Sequence, residues 1–288
     1  MPIVCPRCHH TLFSGQNSLV CGGCRAAYAV REGIPDLYVD ETTSDLSREV
    51  EQANIEHYNS NVQNFEKNVV RPSDEFYDYE KGTLKEFSGD GRGRILDIGT
   101  GTGKILQLAA PFYKELYGID VSIEMLKTLL GITPFVFRSS VLCLPFRDEF
   151  FDVVTAHSVL HHIIDLKKAM GEVHRTLKPG GVFYSDTDAS SAFVNRFGWF
   201  LQMRRKLKKK LFEGDERIER LSDYYHQPGM DPEAVRKTLY SVGFDEVEIR
   251  YHFPQNPDDF TKLIMELDSY HYDPSHYYYF VMVARKRR

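Results

Sequence analysis

From about residue 94 onward, short apolar runs alternate with stripes of apolar residues at helical spacing. In Arg94–Lys104, Ile95 and Leu96 lead to Asp97, and glycines follow at every second position, Gly99, Gly101 and Gly103. Ile105 to Ala110 then continues at helical spacing, so the stretch reads as buried strand, tight turn and helix. Glu115–Asp120 is a second apolar strand ending in a carboxylate, and Asp152–Ala156 is the fourth strand. Lys178-Pro179-Gly180-Gly181 marks a turn from a helix into the strand Val182–Asp186. Asp231-Pro232-Glu233 opens a helix that buries Val235, Leu239 and Val242 and ends at Gly243. Val247–Tyr251 and Tyr277–Ala284 alternate like closing antiparallel strands. This alternation of strand and helix predicts an α/β fold.

Upstream the pattern differs. Residues 39–92 are polar, with a helical stripe from about Ser44 (Leu46, Val50, Ala53, His57) capped by Ser44 or Thr43. Tyr58, Phe65, Phe76, Tyr77 and Tyr79 make the segment aromatic-rich. A helix packed on the sheet is the favoured reading and a lid over a site the other. Gly89–Gly93 marks the turn into the central strand.

Composition adds boundaries. The chain has 288 residues, 42% hydrophobic and 27% charged, which suits one large domain with appendages. A net charge of −5 argues against whole-protein attraction to nucleic acid, though not against a local basic patch. No apolar run is long enough for a transmembrane helix, and the N-terminus lacks an apolar signal core. The expectation is a cytoplasmic protein with reduced thiols. In that setting Cys5-Pro6-Arg7-Cys8 and Cys21-Gly22-Gly23-Cys24, two C-x2-C knuckles twelve residues apart, suit four thiolates around a tetrahedral zinc ion. Four cysteines complete a closed site, so its role is structural, and His9 and His10 are read as surface residues. The segment is too short to bury a core, so the metal supplies most of its folding free energy.

Two ligand classes fit a glycine turn followed by an acid. Asp120, about 20 residues past the turn, has the position that hydrogen-bonds ribose hydroxyls. Dinucleotide sites use G-x-G-x-x-G, because a pyrophosphate sits on the helix N-terminus. Here the spacing is G-x-G-x-G with Asp97 before it. That acid repels a pyrophosphate and suits a ligand with a positive amino or sulfonium group, which favours S-adenosylmethionine over NAD.

The segments LDIGTGTGK (96–104), GIDVSIEML (118–126), LPFRDEFFDVVTAHSVLHHI (144–163) and LKPGG (177–181) together resemble the class I S-adenosylmethionine-dependent methyltransferases. The closest branch is that of the ubiquinone and menaquinone C-methyltransferases. The resemblance implies a Rossmann-like, seven-stranded, mostly parallel sheet with a reversed last strand. Residues 1–38, with both knuckles and REGIPDL, resemble the zinc ribbon of the small activator subunit of tRNA methyltransferases. They are also similar to the ribbon at the front of large-subunit rRNA guanine-N1 methyltransferases. The implied organisation is a zinc ribbon at 1–38, a helical linker or lid at 39–92 and a methyltransferase domain at 93–288.

Carried over by position, Asp97 and the backbone of Gly99, Thr100, Gly101 and Gly103 hold the methionine end of the cofactor. Asp120 binds the ribose, while Val121 and Met125 pack near ribose or adenine. Family members place an Asp where this chain has Ser140, next to Val141, in the loop that meets the adenine amino group. An uncharged hydroxyl accepts that bond more weakly. His157, at the end of the fourth strand, faces the cofactor, and His161 and His162 follow one turn on. Any of the three is a candidate proton acceptor. Asp186 and Asp188, at the end of the next strand, are within range of a substrate.

The Asn/Asp-Pro-Pro-aromatic motif of amino-methylating nucleic-acid enzymes is missing after the fourth strand. Cys143 sits between leucines, unlike a cytosine C5 nucleophile beside proline. Residues 190–230 form a substrate-side insertion. It carries a stripe of Phe193, Phe197, Phe200, Leu207 and Leu211, a basic run at 204–210, and Tyr224 to Pro228. A lid with a solvated charged face is the favoured reading there, ahead of an RNA contact and a membrane-surface helix. The expected function is methylation of a small molecule. RNA methylation and a cofactor-binding or ribbon scaffold without turnover are the alternatives.

Overall fold

The computed structural model describes residues 3–68, 74–91, 93–199, 229–252 and 279–288. The basic run 204–210, the stripe residues Phe200, Leu207 and Leu211, Tyr224 to Pro228, and Tyr277 lie outside the described residues. So do the side chains of Phe65, Phe76 and Tyr77.

The ribbon is a four-stranded antiparallel sheet of β1 (Leu12–Ser14), β2 (Ser18–Cys21), β3 (Ala27–Arg31) and β4 (Ile34–Pro35) in sequence order. Leu12, Leu19, Tyr28 and Ile34 are the buried apolar side chains of its strands, with Ile3 and Leu37 buried at its ends, too few to hold it alone. Two helices follow, α1 (Asp45–Asn68) and α2 (Asp74–Phe87). Ser44 caps the first, its Oγ accepting from Ser47 N at 3.1 Å. Val50 and Ala53 are buried as expected, but Leu46 is 56% exposed, because the first turn of α1 docks through Ser47, which is buried and bonded to Asp165, and Leu46 points away from that face.

The main sheet comprises β5 (Arg94–Ile98), β6 (Glu115–Asp120), β7 (Phe135–Arg138), β8 (Phe151–His157), β9 (Leu177–Ala189), β10 (Phe244–His252) and β11 (Tyr279–Lys286). Its order is β10-β11-β9-β8-β5-β6-β7. All strands are parallel except β11, which runs antiparallel to both neighbours. This is the expected Rossmann-like sheet with a reversed last strand. The expected Lys178–Gly181 turn is a bulge inside β9. Leu177 pairs with Phe151, the register shifts, and Val182 pairs with Val153 while Gly180 takes φ +78°.

Both faces of the sheet are buried, which is why its strands read as continuous apolar runs. Ile95, Val136, Val153 and Val281 point to the side packed by α2, α3 (Lys104–Ala109) and α4 (Ile123–Lys127). Leu96, Phe137, Val154 and Met282 point to the other side, under α5 (Leu166–Thr176) and α7 (Pro232–Ser241); α6 spans 191–199. On that second face Tyr117, Phe146, Phe150 and Phe151 form an edge-to-face aromatic cluster with centroids 4.9–5.9 Å apart.

The ribbon seats on the β7 edge of the sheet. Val4 N donates to Pro145 O at 2.9 Å and Leu37 N to Arg138 O at 2.8 Å. The Arg138 guanidinium meets both Asp36 carboxylate oxygens (3.0 and 3.1 Å), donates to Val121 O at 2.9 Å, and covers the Tyr38 ring.

Within this core, Phe151→Ala should lower stability by about 3–5 kcal/mol, read as a shift in the urea midpoint. A loss under about 1 kcal/mol would show that the cluster is not close-packed.

Candidate functional site

After β5 the chain leaves for β6 and β7 on one side, then returns to β8 on the other. That reversal opens a crevice at the carboxyl ends of β5 and β8, where open α/β sheets bind ligands. The glycine turn lies there. Gly99, Gly101 and Gly103 all take left-handed conformations (φ +61°, +52° and +79°). A Cβ on Gly99 would also stand 2.6 Å from Val159 Cγ2. Thr100 N is tied to Ile119 O at 3.0 Å, so the turn is pinned to β6.

Two buried carboxylates flank this turn. Thr155 Oγ1 donates to Asp97 Oδ1 at 2.7 Å. Burial raises the Asp97 carboxyl to about 6, against the lowering effect of the Thr155 and Thr100 hydroxyls. A nearby cation would favour its charged form. Asp120, at the end of β6, accepts from Gly101 N (2.9 Å) and Ser122 N (2.8 Å), and burial raises it as well. Val121 is half-buried beside it, and Met125 is buried in α4.

Ser140 follows β7 and caps a short 3-10 turn, Val141–Cys143, by accepting from Leu142 N at 3.2 Å. Its hydroxyl donates to Glu51 Oε1 at 2.5 Å, and Val141 is half-buried. Cys143 is buried, its thiol 3.6 Å from Val39 O and pushed up to about 12 by desolvation. It stays a thiol at neutral pH, unsuited to nucleophilic attack.

The three histidines occupy distinct settings. Burial opposes charge on His157, but the Glu80 carboxylate outweighs it from 2.7 Å, with help from Asp186 and Asp97. The result is a pKa of about 9, so His157 is a cation at neutral pH. His161 sets Nδ1 against Asp188 Oδ1 at 2.7 Å, and its backbone N–H donates to the same oxygen at 3.2 Å. Such a contact fixes ring orientation and tautomer. His162 Nε2 lies 3.0 Å from Tyr58 OH. Asp186 and Asp188 are fully buried, Asp186 accepting from Tyr184 OH at 2.8 Å. Ser158 and Thr187, just after His157 and Asp186, are non-glycine residues at φ +57° and +63°. Backbone strain of this kind clusters at functional sites.

Sequence reasoning missed the contribution of α1 and α2. Glu51, Ile55, Tyr58 and Asn59 share one face of α1. From that face Glu51 reaches Ser140, Tyr58 reaches His162, and Asn59 Oδ1 accepts from Ser122 Oγ at 2.8 Å. From α2, Glu80 is fully buried against His157. The signal for Glu80 was a carboxylate one turn before buried Leu84, on the face of α2 that also buries Thr83.

A family model described as a methyltransferase domain matches residues 96–185. The demethylmenaquinone methyltransferase of Thermus thermophilus is 37% identical over 170 residues, covering 55% of this chain and 76% of that protein. The chain belongs to the S-adenosylmethionine-dependent methyltransferase family. Another member, the ubiquinone/menaquinone biosynthesis C-methyltransferase UbiE of Geotalea uraniireducens, is 37% identical over 100 residues, 31% of this chain. The match spans 43% of that relative, less than half its length. Among solved structures, phosphoethanolamine N-methyltransferase 2 of Haemonchus contortus, in complex with S-adenosylhomocysteine and phosphomonomethylethanolamine, shares the methyltransferase fold. The match has a TM-score of 0.56 at 17% identity, over 88% of this chain and 62% of that one.

The His157–Glu80 contact is open to direct test. In an NMR titration His157 should titrate near about 9. Glu80→Gln should bring it down toward or below the ordinary value of 6.5, because burial then meets less opposition. The folded-state value is raised, so the pair's contribution to stability is complete below about 6.5 and disappears as pH rises through about 9. An unchanged midpoint in Glu80→Gln would remove Glu80 as the cause.

Proposed function

We propose that the chain is a methyltransferase that uses S-adenosylmethionine, acts on a small-molecule acceptor in the cytoplasm, and carries a structural zinc ion in its ribbon. One observation supports the cofactor above the rest. Two buried carboxylates, Asp97 near the end of β5 and Asp120 at the end of the adjacent parallel β6, flank a turn of left-handed glycines, and Asp120 is tied to that turn by Gly101 N. An acid raised by burial at Asp97 complements an amino group. Asp120 has lone pairs left for ribose hydroxyls after its two amide contacts.

The Gly99, Thr100, Gly101 and Gly103 backbone would hold the methionine end, with Val121, Met125, Ser140 and Val141 toward the nucleoside. When bound, the cofactor supplies an electrophilic methyl group on a sulfonium. This chain's task is then to place an acceptor in line with it and exclude water. His161, oriented by Asp188, suits removal of a proton from the acceptor. His157, protonated beside Glu80, suits donating a hydrogen bond and holding the acceptor. His162 with Tyr58 closes the α1 side. The Thermus and Geotalea relatives are named for quinone-pathway methyl transfer, which supports a small acceptor over RNA.

In the ribbon, the ligand atoms of Cys5, Cys8, Cys21 and Cys24 all lie within 4.8 Å of one another. The Cys5–Cys24 and Cys8–Cys21 Sγ separations are 3.6 and 3.4 Å, near the edge of about 3.8 Å that a tetrahedron with Zn–S bonds of about 2.3 Å requires. Gly23 N donates to Cys21 Sγ at 3.3 Å, and His9 and His10 are exposed. The donor set fits zinc, with no ligand position left open.

Calorimetry should show S-adenosylhomocysteine binding, weakened about 10- to 100-fold in Asp97→Asn through loss of a charge-assisted bond. Binding of NAD in its place would overturn the cofactor. Labelled methyl transfer into a fractionated extract should mark small molecules. Label in RNA alone would favour the second reading, and none anywhere a scaffold. Metal analysis should find one zinc per chain, lost in Cys21→Ser together with the fold of the ribbon.

A further inference from the structure

We propose that Glu51, on α1, is the residue that recognises the adenine base of the cofactor by accepting a hydrogen bond from its exocyclic amine. The proposal rests on the cofactor reading above. It follows from the order of the carboxyl strand ends: the glycine turn after β5, Asp120 after β6, and Ser139–Val141 after β7. A nucleoside whose ribose lies on Asp120 and whose methionine end lies on the glycine turn must send its base onward, toward the end of β7.

At that end two carboxylates among the described residues bond the side chains of Arg138 and Ser140, while Glu172 is taken further along the loop by Leu144 N at 2.8 Å and by Arg175. Asp36 is engaged by the guanidinium of Arg138 and by Arg31 at 3.6 Å, so it is a neutralised structural anion. Glu51 differs. It is half-buried, no lysine or arginine among the described residues pairs with it, and its donors are hydroxyls: Ser140 Oγ on Oε1 at 2.5 Å and Tyr38 OH on Oε2 at 3.0 Å. A carboxylate has about four acceptor sites, so these leave capacity on both oxygens. Burial raises its pKa, and the two hydroxyls oppose that only in part.

Ser140 suits this role less. Its proton is on Glu51, one lone pair takes Leu142 N, and the residue is fully buried. It acts as a positioning residue that aims Glu51. The same face of α1 continues along the nucleoside path, with Asn59 on Ser122 at 2.8 Å beside Asp120. Tyr38 fixes the other oxygen from the ribbon junction, under the Arg138 guanidinium. The base-reading group therefore comes from the segment before the central domain.

The test compares two ligands by calorimetry, S-adenosylhomocysteine and S-inosylhomocysteine, in which a carbonyl replaces the exocyclic amine. The wild-type chain should prefer the adenosine compound by about tenfold or more, since the inosine carbonyl would face a carboxylate. In Glu51→Gln, whose amide can turn to donate, the preference should fall to about threefold or less. Tyr38→Phe, which keeps the carboxylate, should weaken both ligands alike and retain the preference. A structural role for Glu51 would likewise weaken both ligands equally and leave the ratio unchanged, which would overturn the proposal. Failure of the wild-type chain to bind either compound would instead overturn the cofactor reading itself.

Discussion

The hydrogen bond from Gly101 N to Asp120 Oδ2 fixes the relation on which the site depends. It ties a turn that only glycines can make to a carboxylate on the neighbouring strand, and it does so where the direction of strand addition reverses. Asp97 is placed on one side of the turn by its bond from Thr155, and Ser122 on the other by the second oxygen of Asp120. Everything else at the carboxyl ends is arranged around this pair. The histidines arrive from β8 and the segment after it, Asp186 and Asp188 from β9, and α1 crosses above.

The local chemistry of this centre was legible in the chain because it is carried by residues close in sequence. A glycine at every second position, an acid before it and an acid ending the next strand each have a local physical cause. The two cysteine knuckles are local in the same way. Short continuous apolar runs also gave the strands, since both faces of the sheet are buried and successive side chains enter two different cores. Long-range partners were not legible. Glu51 meets Ser140 and Glu80 meets His157 across separations that no periodicity encodes. Leu46 looked like part of a buried stripe, but the first turn of α1 turns Ser47 inward instead, to a bond with Asp165 that no periodicity encodes. The Pro-Gly-Gly segment of β9 has turn composition, yet its flanks resume pairing with β8 and absorb it as a bulge.

The crevice is strongly acidic, with Asp97, Asp120, Glu80, Asp186 and Asp188 all buried. Such a density of carboxylates is costly to bury without partners. The chain meets part of that cost with backbone amides, hydroxyls and the imidazoles of His157 and His161. The unequal treatment of these acids differentiates them. Asp120 is bound by amides, Asp97 by hydroxyls, and Glu80 by a protonated ring. One sheet thus offers neighbouring carboxylates with different tasks.

The seating of the ribbon on β7 has a consequence beyond the site. An outermost strand exposes unpaired backbone groups that invite pairing with another molecule. Leu37 takes the Arg138 carbonyl, Val4 takes that of Pro145, and Asp36 lies in a parallel bridge with Arg138. The ribbon thus acts as an end-plate for the sheet, covering with its own backbone the edge that β7 would otherwise present.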